Sequence, residues 1–252
     1  MRKKEVQTNA TWRAFQNFTN ARIAIGRTGH SIPVKRLLEF KLAHAHARDA
    51  VYSKLNTEAL AEDIKQFNLP VLQLQSLVTY REQYLQRPDL GRKLNEQSFE
   101  QLKEYNSTYD LVIIITDGLS ATATNQHAVG LLQYLLPYLT RAGLQLAPLC
   151  ITEQGRVAIS DDVAAVLKAK MSLILIGERP GLSAADSLGA YITYDPQPGL
   201  TDEARNCVSN IRPGGLKLQQ AADRIYYLIQ QSLQRKLSGV DLKDDTGGKY
   251  FP

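Results

Sequence analysis

The sequence is poor in cysteine and in long apolar runs. Its 252 residues include only two cysteines, Cys150 and Cys207, too few for a disulfide framework or a four-ligand structural zinc site, so we expect reduced thiols in a reducing compartment. No apolar run approaches the roughly 18 residues that a membrane-spanning helix needs. The amino-terminal segment MRKKEVQTNATWRAF lacks the apolar region of a secretion signal. These absences predict a cytoplasmic protein without membrane contact.

Motifs for nucleotides and nucleic acids are also missing. The chain contains neither G-x-G-x-x-G nor G-x-x-x-x-G-K-[ST], the glycine patterns that bind dinucleotides and phosphates. Its basic excess is small, with 30 Lys and Arg against 25 Asp and Glu, and only 8% of its residues are aromatic. Since nucleic-acid binders usually concentrate basic residues in a patch with aromatic side chains, we expect no nucleic-acid partner.

The histidines form no recognisable metal or hydrolase motif. His44 and His46 are two residues apart on a predicted helix and point to different sides, so they cannot bind one metal ion as an i, i+4 pair can. Ser183 and Ser187 lie near Asp186 without a histidine close by in sequence, although a tertiary contact would supply one. We therefore predict no metal site and no catalytic residue in this chain.

The first part of the chain is predicted to be helical. Residues 1–30 are basic and polar and are predicted to form an irregular amino-terminal arm. Residues 31–105 are predicted to form a helical region, with a long amphipathic helix from Ser31 to about Leu55 and an interrupted helical stretch over 73–105.

From residue 106 the pattern becomes that of an α/β domain. The continuous β-branched run 111–115 is typical of a strand buried on both faces of a parallel sheet. Further apolar runs lie at 144–151, 172–176 and 190–194, and predicted helices lie at 121–140, 159–170 and 216–237. The alternation predicts an α/β fold over 106–237, a Rossmann-like, mostly parallel sheet flanked by helices, with a flexible tail at 238–252.

Two predicted strand ends carry a carboxylate beside a glycine. Asp117-Gly118 follows the first strand and Gly177-Glu178 the third, and open α/β sheets bind ligands outside the carboxyl ends of their strands. A structural interpretation is also open, because a strand-end Asp often caps the next helix and a Glu beside Arg179 can simply pair with it. Cys207 lies in a polar segment that predicts a loop after the last strand, near the same edge.

Five short segments of the chain stand in a distinctive order. They are ARIAIGRTG at 21–29, AHAHARDAV at 43–51, ITDGLSA at 115–121, LIGERPG at 175–181 and NCVSNIRPGG at 206–215. Together they span most of residues 20–240 and resemble the small subunit, or light chain, of ethanolamine ammonia-lyase. The chain departs from that family at its ends, where the amino-terminal arm is short and 246–252 matches nothing in the family.

The resemblance implies one subunit of an adenosylcobalamin-dependent lyase that converts ethanolamine to acetaldehyde and ammonia by radical chemistry. In that family a large subunit, a (β/α)8 barrel, holds ethanolamine, and the cobalamin lies between the two subunits. The family's cobalamin contacts fall here on Val157, Glu178 and Cys207, which are the expected cofactor-binding residues. The isolated chain is expected to be inactive. The complex is expected to be cytoplasmic, and in many organisms with this enzyme a bacterial microcompartment encloses it.

Two other functions stay open. An assembly module would dock a partner through its helical amino-terminal part without touching a cofactor. A free-standing α/β enzyme would use Asp117 and Glu178 on a small phosphorylated or hydroxylated substrate, but it needs an acid–base or metal partner that the sequence does not offer. Cobalamin is rimmed with amides, so a surface that binds it needs acceptors, backbone amides and apolar contact more than a cluster of metal ligands.

Overall fold

A computed structural model describes residues 10–19, 21–105 and 107–244, and it contains a six-stranded sheet between layers of helices. The strands are β1 (Val71–Gln75), β2 (Tyr109–Thr116), β3 (Leu149–Glu153), β4 (Ala169–Gly177), β5 (Leu188–Tyr194) and β6 (Arg205–Ile211). Their order across the sheet is β1-β3-β2-β4-β5-β6. The first four of these run parallel, β5 runs antiparallel to β4, and β6 runs antiparallel to β5. The predicted α/β class with a mostly parallel sheet is confirmed.

Helices cover both faces of this sheet. They are α1 (Ala10–Phe15), α2 (Val34–Tyr52), α3 (Thr57–Ile64), α4 (Arg81–Gln86), α5 (Glu96–Lys103), α6 (Ala121–Arg141), α7 (Ile159–Leu167) and α8 (Leu218–Arg235). Helices α3, α6 and α8 pack on one face, in a core that includes Ile113 and Leu131. Helices α5 and α7 pack on the other face, around Val112 and Val163. None of the described helices has the length and apolar character needed to cross a bilayer.

The stretch 73–105, predicted to be helical, overlaps strand β1 at its start. In Val71–Gln75 the side chains of Leu72 and Leu74 are buried and that of Gln73 is exposed. This alternation is that of an edge strand with one face on a core. The rest of the stretch contains the two short helices α4 and α5, because the Pro88 region interrupts it as predicted.

The segment around Cys207, predicted to be a loop, is strand β6. Cys207 pairs with Tyr191 of β5 across the antiparallel ladder. The polar composition of β6 has a structural cause, because Asn206 donates from Nδ2 to the carbonyl oxygens of Gly239 and Leu242 at 3.1 and 2.8 Å. The polar side chain of Asn206 therefore forms hydrogen bonds within the fold, at a strand position where an apolar residue is more usual.

The beginning of the predicted flexible tail is packed onto the domain. Ser238 accepts a hydrogen bond from the Tyr194 amide at 2.8 Å and donates to the Ala204 carbonyl at 2.6 Å. Leu242 is 2% exposed and belongs to the core. Residues 245–252 lie outside the described residues, as do residues 1–9 of the predicted arm, whose remaining part contains the short helix α1.

Helix α2 stands largely away from the sheet. Of its 19 residues only Ala50 is buried. Four of its large apolar side chains, Leu37, Leu38, Phe40 and Leu42, are 41–59% exposed. Its carboxyl end is held to the domain, since Arg81 donates from Nε to the Val51 carbonyl at 2.7 Å. An apolar surface of this kind is typical of a site that another chain covers.

A buried ion pair joins α7 to β6. Arg205 donates from Nη1 and Nη2 to the two carboxylate oxygens of Asp161 at 2.7 and 2.6 Å, and both side chains are 1% exposed. Nη1 also donates to the Thr193 hydroxyl at 3.1 Å. The pair is therefore bidentate and further satisfied by a neighbour, which is the geometry in which a buried pair is tolerated.

Replacing Arg205 by Ala should strongly destabilise the fold, because the Asp161 carboxylate would stay buried without its partner. We expect the free energy of unfolding, measured by urea titration, to fall by about 3–5 kcal/mol. As a control, Lys170→Ala breaks the exposed pair with Asp110, which is 2.8 Å long, and should cost less than about 1 kcal/mol. Equal losses for the two variants would show that the buried pair has no special role.

Candidate functional site

The carboxyl ends of five strands meet at one edge of the sheet. Strands β1, β3, β2, β4 and β6 share one direction, so the segments that follow them lie together. The helices after β2 and β3, α6 and α7, pack on opposite faces. The connection after β2 runs to β3 and the connection after β4 runs to β5, in opposite directions along the sheet. The crevice between the ends of β2 and β4 is therefore a topological switch point, the usual ligand site of open α/β sheets.

Asp117 lies at this switch point but inside the protein. It is 2% exposed. Its Oδ2 accepts from Arg81 Nη1 at 3.3 Å, and its Oδ1 accepts from the Thr116 hydroxyl at 3.1 Å and the Gly155 amide at 3.3 Å. Arg81 Nη1 also donates to Gln154 Oε1 at 3.2 Å. Asp117 therefore links the segments after β2 and β3, and solvent does not reach it.

Burial dominates the chemistry of Asp117. Removal from water raises its pKa to about 6, and the Arg81 guanidinium opposes that rise. The carboxyl is therefore close to half protonated under mildly acidic conditions.

Tyr84, beneath this network, was not singled out by the sequence. It is fully buried and donates its hydroxyl to the Gly155 carbonyl at 3.1 Å. The guanidinium carbons of Arg156 and Arg81 lie 4.0 and 4.5 Å from its ring centre, within the range of cation–π attraction. The ring thus fixes the two arginines on either side of it.

The loops after β2 and β4 touch through two glycines. The Leu119 amide donates to the Gly177 carbonyl at 2.9 Å. A Cβ on Gly177 would lie 2.0 Å from the Ser120 carbonyl oxygen, and one on Gly118, whose φ is +56°, would lie 2.3 Å from the Gly177 carbonyl oxygen. Only glycine permits this approach, which explains why glycine precedes Glu178 and follows Asp117.

Glu178 follows β4 and continues its ladder. Its amide donates to the Ser187 carbonyl at 2.9 Å. Its Oε2 accepts from the Ser187 hydroxyl and, at 3.2 Å, from the Asn210 amide at the end of β6. Asn210 has a φ of 58°, a left-handed conformation that Asn adopts more readily than most residues. The carboxylate is thereby held over three adjacent strands.

Tyr191 and Cys207 extend the surface on which Glu178 lies. Alternate residues of β5 share a face, and Tyr191 is two positions beyond Gly189 and directly opposite Cys207. The two side chains are close enough for each to shift the pKa of the other. Cys207 is exposed and Tyr191 half-buried. We call the surface formed by Glu178, Gly189, Tyr191 and Cys207 the open face.

The Cys207 thiol is not activated. Partial burial raises its pKa above the ordinary value, the neighbouring Tyr191 hydroxyl opposes that rise, and the negative charge of Glu178 adds to it. A nucleophilic cysteine needs the opposite shift, toward the thiolate at neutral pH. Cys207 therefore carries a neutral thiol.

No helix within 10–19, 21–105 or 107–244 packs over the open face. Helix α8 packs on β5 and β6 from the opposite side of the sheet, and α7 packs on β2 and β4. Helix α7 reaches β6 through the pair of Asp161 and Arg205. The open face consequently remains accessible between α7 and the sheet edge.

Val157 lies on the same side of the sheet, at the turn into α7. It packs against the same core cluster as Tyr191. It also lines a groove of about 630 Å³ together with Arg156 and the β5–β6 connection at 198–202. Of the three expected contact residues, the structure thus brings Glu178 and Cys207 together through Tyr191, with Val157 further along the same face.

The serines near Asp186 do not form a hydrolytic triad within the described part of the chain. His127 of α6 does approach Asp186, with Nε2 3.7 Å from Oδ2. The Ser187 hydroxyl, however, donates to Glu178, and Ser183 is engaged through its carbonyl, which accepts from Arg212 at 3.3 Å. Neither serine is activated by the histidine.

Comparisons with known proteins point to one family. Residues 9–243 match the model of the ethanolamine ammonia-lyase light chain (EutC). The ethanolamine ammonia-lyase small subunit of Azotobacter vinelandii is 46% identical over 249 residues, 97% of this chain and 92% of the relative. The protein of the same name from Pseudomonas putida is 49% identical over 238 residues, 93% of this chain and 88% of the relative.

Asp117 should make stability fall as the pH rises. Its ordinary pKa is 3.8 and its folded pKa about 6, so between these values the folded chain binds more protons than the unfolded chain. The free energy of unfolding, measured by urea titration from pH 4 to 7, should decrease by about 2 kcal/mol more in the wild type than in Asp117→Asn.

A control for this measurement is Asp110→Asn. Partial burial of Asp110 is outweighed by hydrogen bonds from Lys170 and the Gln145 amide, so its pKa is lowered. Its contribution should therefore be lost as the pH falls, the reverse of the Asp117 effect. Parallel pH profiles for the wild type and Asp117→Asn would refute the assignment.

Proposed function

Because the chain belongs to the ethanolamine ammonia-lyase light-chain family, we propose that it is the small subunit of that lyase and completes an adenosylcobalamin site at its interface with a large subunit. The open face is the observation that carries this proposal. It presents a fixed carboxylate, a neutral thiol and an aromatic ring on a sheet surface without a covering helix. The relatives that share nearly half of its residues carry the name of small subunit, which supports a large-subunit partner.

The residues of the open face fit a corrin ring. A corrin is flat and rimmed with amide groups, so it needs a level surface and hydrogen-bond acceptors. Gly189 lets the Glu178 carboxylate lie close against the sheet, since a Cβ there would lie 3.0 Å from Glu178 Oε1. Ser187 and Asn210 both bind Oε2, which leaves Oε1 available to accept from an amide of the ligand.

The chain's share in the reaction is binding and orientation. Adenosylcobalamin, when bound, supplies a carbon-centred radical through homolysis of its cobalt–carbon bond. Glu178 would hold an amide at the edge of the ring, and Val157 and Cys207 would add backbone groups and small apolar contacts. We assign ethanolamine binding and the proton transfers to the large subunit, because the titratable groups of the open face are held in hydrogen bonds or neutral.

Helix α2 also supports an obligatory partner. The exposed apolar side chains of α2 need a cover, and Arg81 connects the last turn of this helix to Asp117 and Gln154 at the proposed ligand-binding edge of the sheet. We propose that the large subunit covers α2. An assembly module without cofactor contact would need only the helical amino-terminal part of the chain, and it is the second candidate. A free-standing enzyme that uses Asp117 is disfavoured by the burial of that residue.

Reconstitution tests the proposed function. The chain alone should not deaminate ethanolamine, whereas the chain co-expressed with the large subunit should elute with it from size-exclusion chromatography, bind adenosylcobalamin and deaminate. Glu178→Arg should weaken cobalamin binding, followed in the visible spectrum, by about tenfold or more, because an acceptor is replaced by a donor.

The control is Glu100→Arg on α5, an exposed glutamate paired with Lys103, which should leave the affinity unchanged. Deamination by the chain alone would contradict the proposal. Wild-type cobalamin affinity in the Glu178→Arg complex would favour the assembly module.

Gly189→Ala should weaken cobalamin binding through Glu178. The added methyl group would meet Oε1 at 3.0 Å and Cγ at 3.1 Å and push the flexible side chain aside, for which we expect a loss of about threefold. In a Glu178→Ala background the same substitution should have no further effect, as a double-mutant cycle would measure. Additive losses would mean that Gly189 acts by another route.

A further inference from the structure

Tyr191 occupies the middle of the open face. Across the sheet it stands between Ile174 of β4 and Cys207 of β6. Its ring packs at one side against the core under α7, so its position is fixed, and the residue remains half-buried with the rest of its surface accessible. An aromatic ring anchored in this way is a rigid apolar platform, since only two side-chain torsions need to be held.

The hydroxyl of Tyr191 is neutral. Burial raises the pKa of Tyr191, and the neighbouring Cys207 and Glu178 add to the rise. Cys207, directly opposite on β6, is exposed. The accessible side of the ring therefore adjoins groups of the open face.

The neighbours of Tyr191 make room for a flat ligand. Gly189 contributes no side chain on the same face, and the Glu178 carboxylate is hydrogen-bonded to the Ser187 hydroxyl and the Asn210 amide. The ring therefore lies between a hydrogen-bonded carboxylate and a small thiol, with nothing larger beside it on β5 within this face. This arrangement suits a broad planar ligand with polar groups at its rim.

We infer that Tyr191 is a further cofactor-contact residue, whose ring supports the corrin. The inference rests on the proposed function and adds a residue to it. The flat ring provides apolar contact area on the open face, and this contact does not need the hydroxyl.

The test uses the complex with the large subunit, titrated with cyanocobalamin and followed in the visible spectrum, so that no turnover is needed. Tyr191→Leu retains apolar bulk but not the flat ring and should weaken binding about tenfold. Tyr191→Phe retains the flat ring and should bind within about twofold of the wild type. Tyr134→Ala, on an exposed residue of α6, is the control and should bind as the wild type does.

The outcomes separate this inference from the proposed function. If Glu178→Arg weakens binding while Tyr191→Leu does not, Tyr191 is not a contact residue and the proposed function stands. If neither variant weakens binding, the proposed function itself is overturned. Co-elution of the two subunits without cobalamin should be the same for Tyr191→Leu and the wild type, and a loss of co-elution would make Tyr191 an interface residue instead.

Discussion

The position of the candidate site depends on one steric constraint, the contact between the backbones after β2 and β4. Gly177 and Gly118 leave no space for a Cβ between them. Because these two segments of the chain touch there, Ser120 forms two hydrogen bonds. Its hydroxyl accepts from the Ala123 amide and so caps α6, and it donates to the Ala185 carbonyl at 2.8 Å. Strand β4 ends at Gly177, at this contact, and the next residue, Glu178, places its side chain on the face of the sheet. A single close approach thus sets the start of a helix and the place of the proposed ligand-binding carboxylate.

Two buried ion pairs hold the parts of the candidate site in place. The bidentate pair of Arg205 and Asp161 keeps β6 against α7 and places Cys207 in register with Tyr191. The pair of Arg81 and Asp117 is a single contact of 3.3 Å, and its carboxyl carries a raised pKa, so burial is less fully compensated there. The first pair supports the open face, and the second connects helix α2 to the sheet edge, since Arg81 also binds the Val51 carbonyl.

Sequence patterns predicted two kinds of element: helices that form from contacts between residues near in sequence, and strands that are completely buried. The long helices α6 and α8 and the run 111–115 are examples. Strand β6 was not predicted because Asn206, Ser209 and Asn210 are residues typical of turns. Its strand conformation depends on pairing with β5, which short sequence patterns do not show. Glu178 was a candidate already from its place at a strand end, and family resemblance supplied the expected cofactor role of Glu178 and Cys207. Tyr191 was not a candidate, although Gly189 and Tyr191 alternate along β5. That alternation acquires meaning only when the register against Glu178 and Cys207 is known.

The chemistry of the open face is consistent with the proposed role of binding a reactive cofactor without reacting with it. Proton transfer near neutral pH requires a group whose pKa lies close to that pH. Tyr191 and Cys207 are shifted away from it, toward their neutral forms, and Glu178 is engaged by two donors. Asp117, whose pKa of about 6 comes closer to that range, is enclosed beneath the sheet edge and cannot meet a ligand. The groups proposed to bind therefore face outward and the titrating group faces inward, so that in the proposed complex acid–base chemistry belongs to the large subunit.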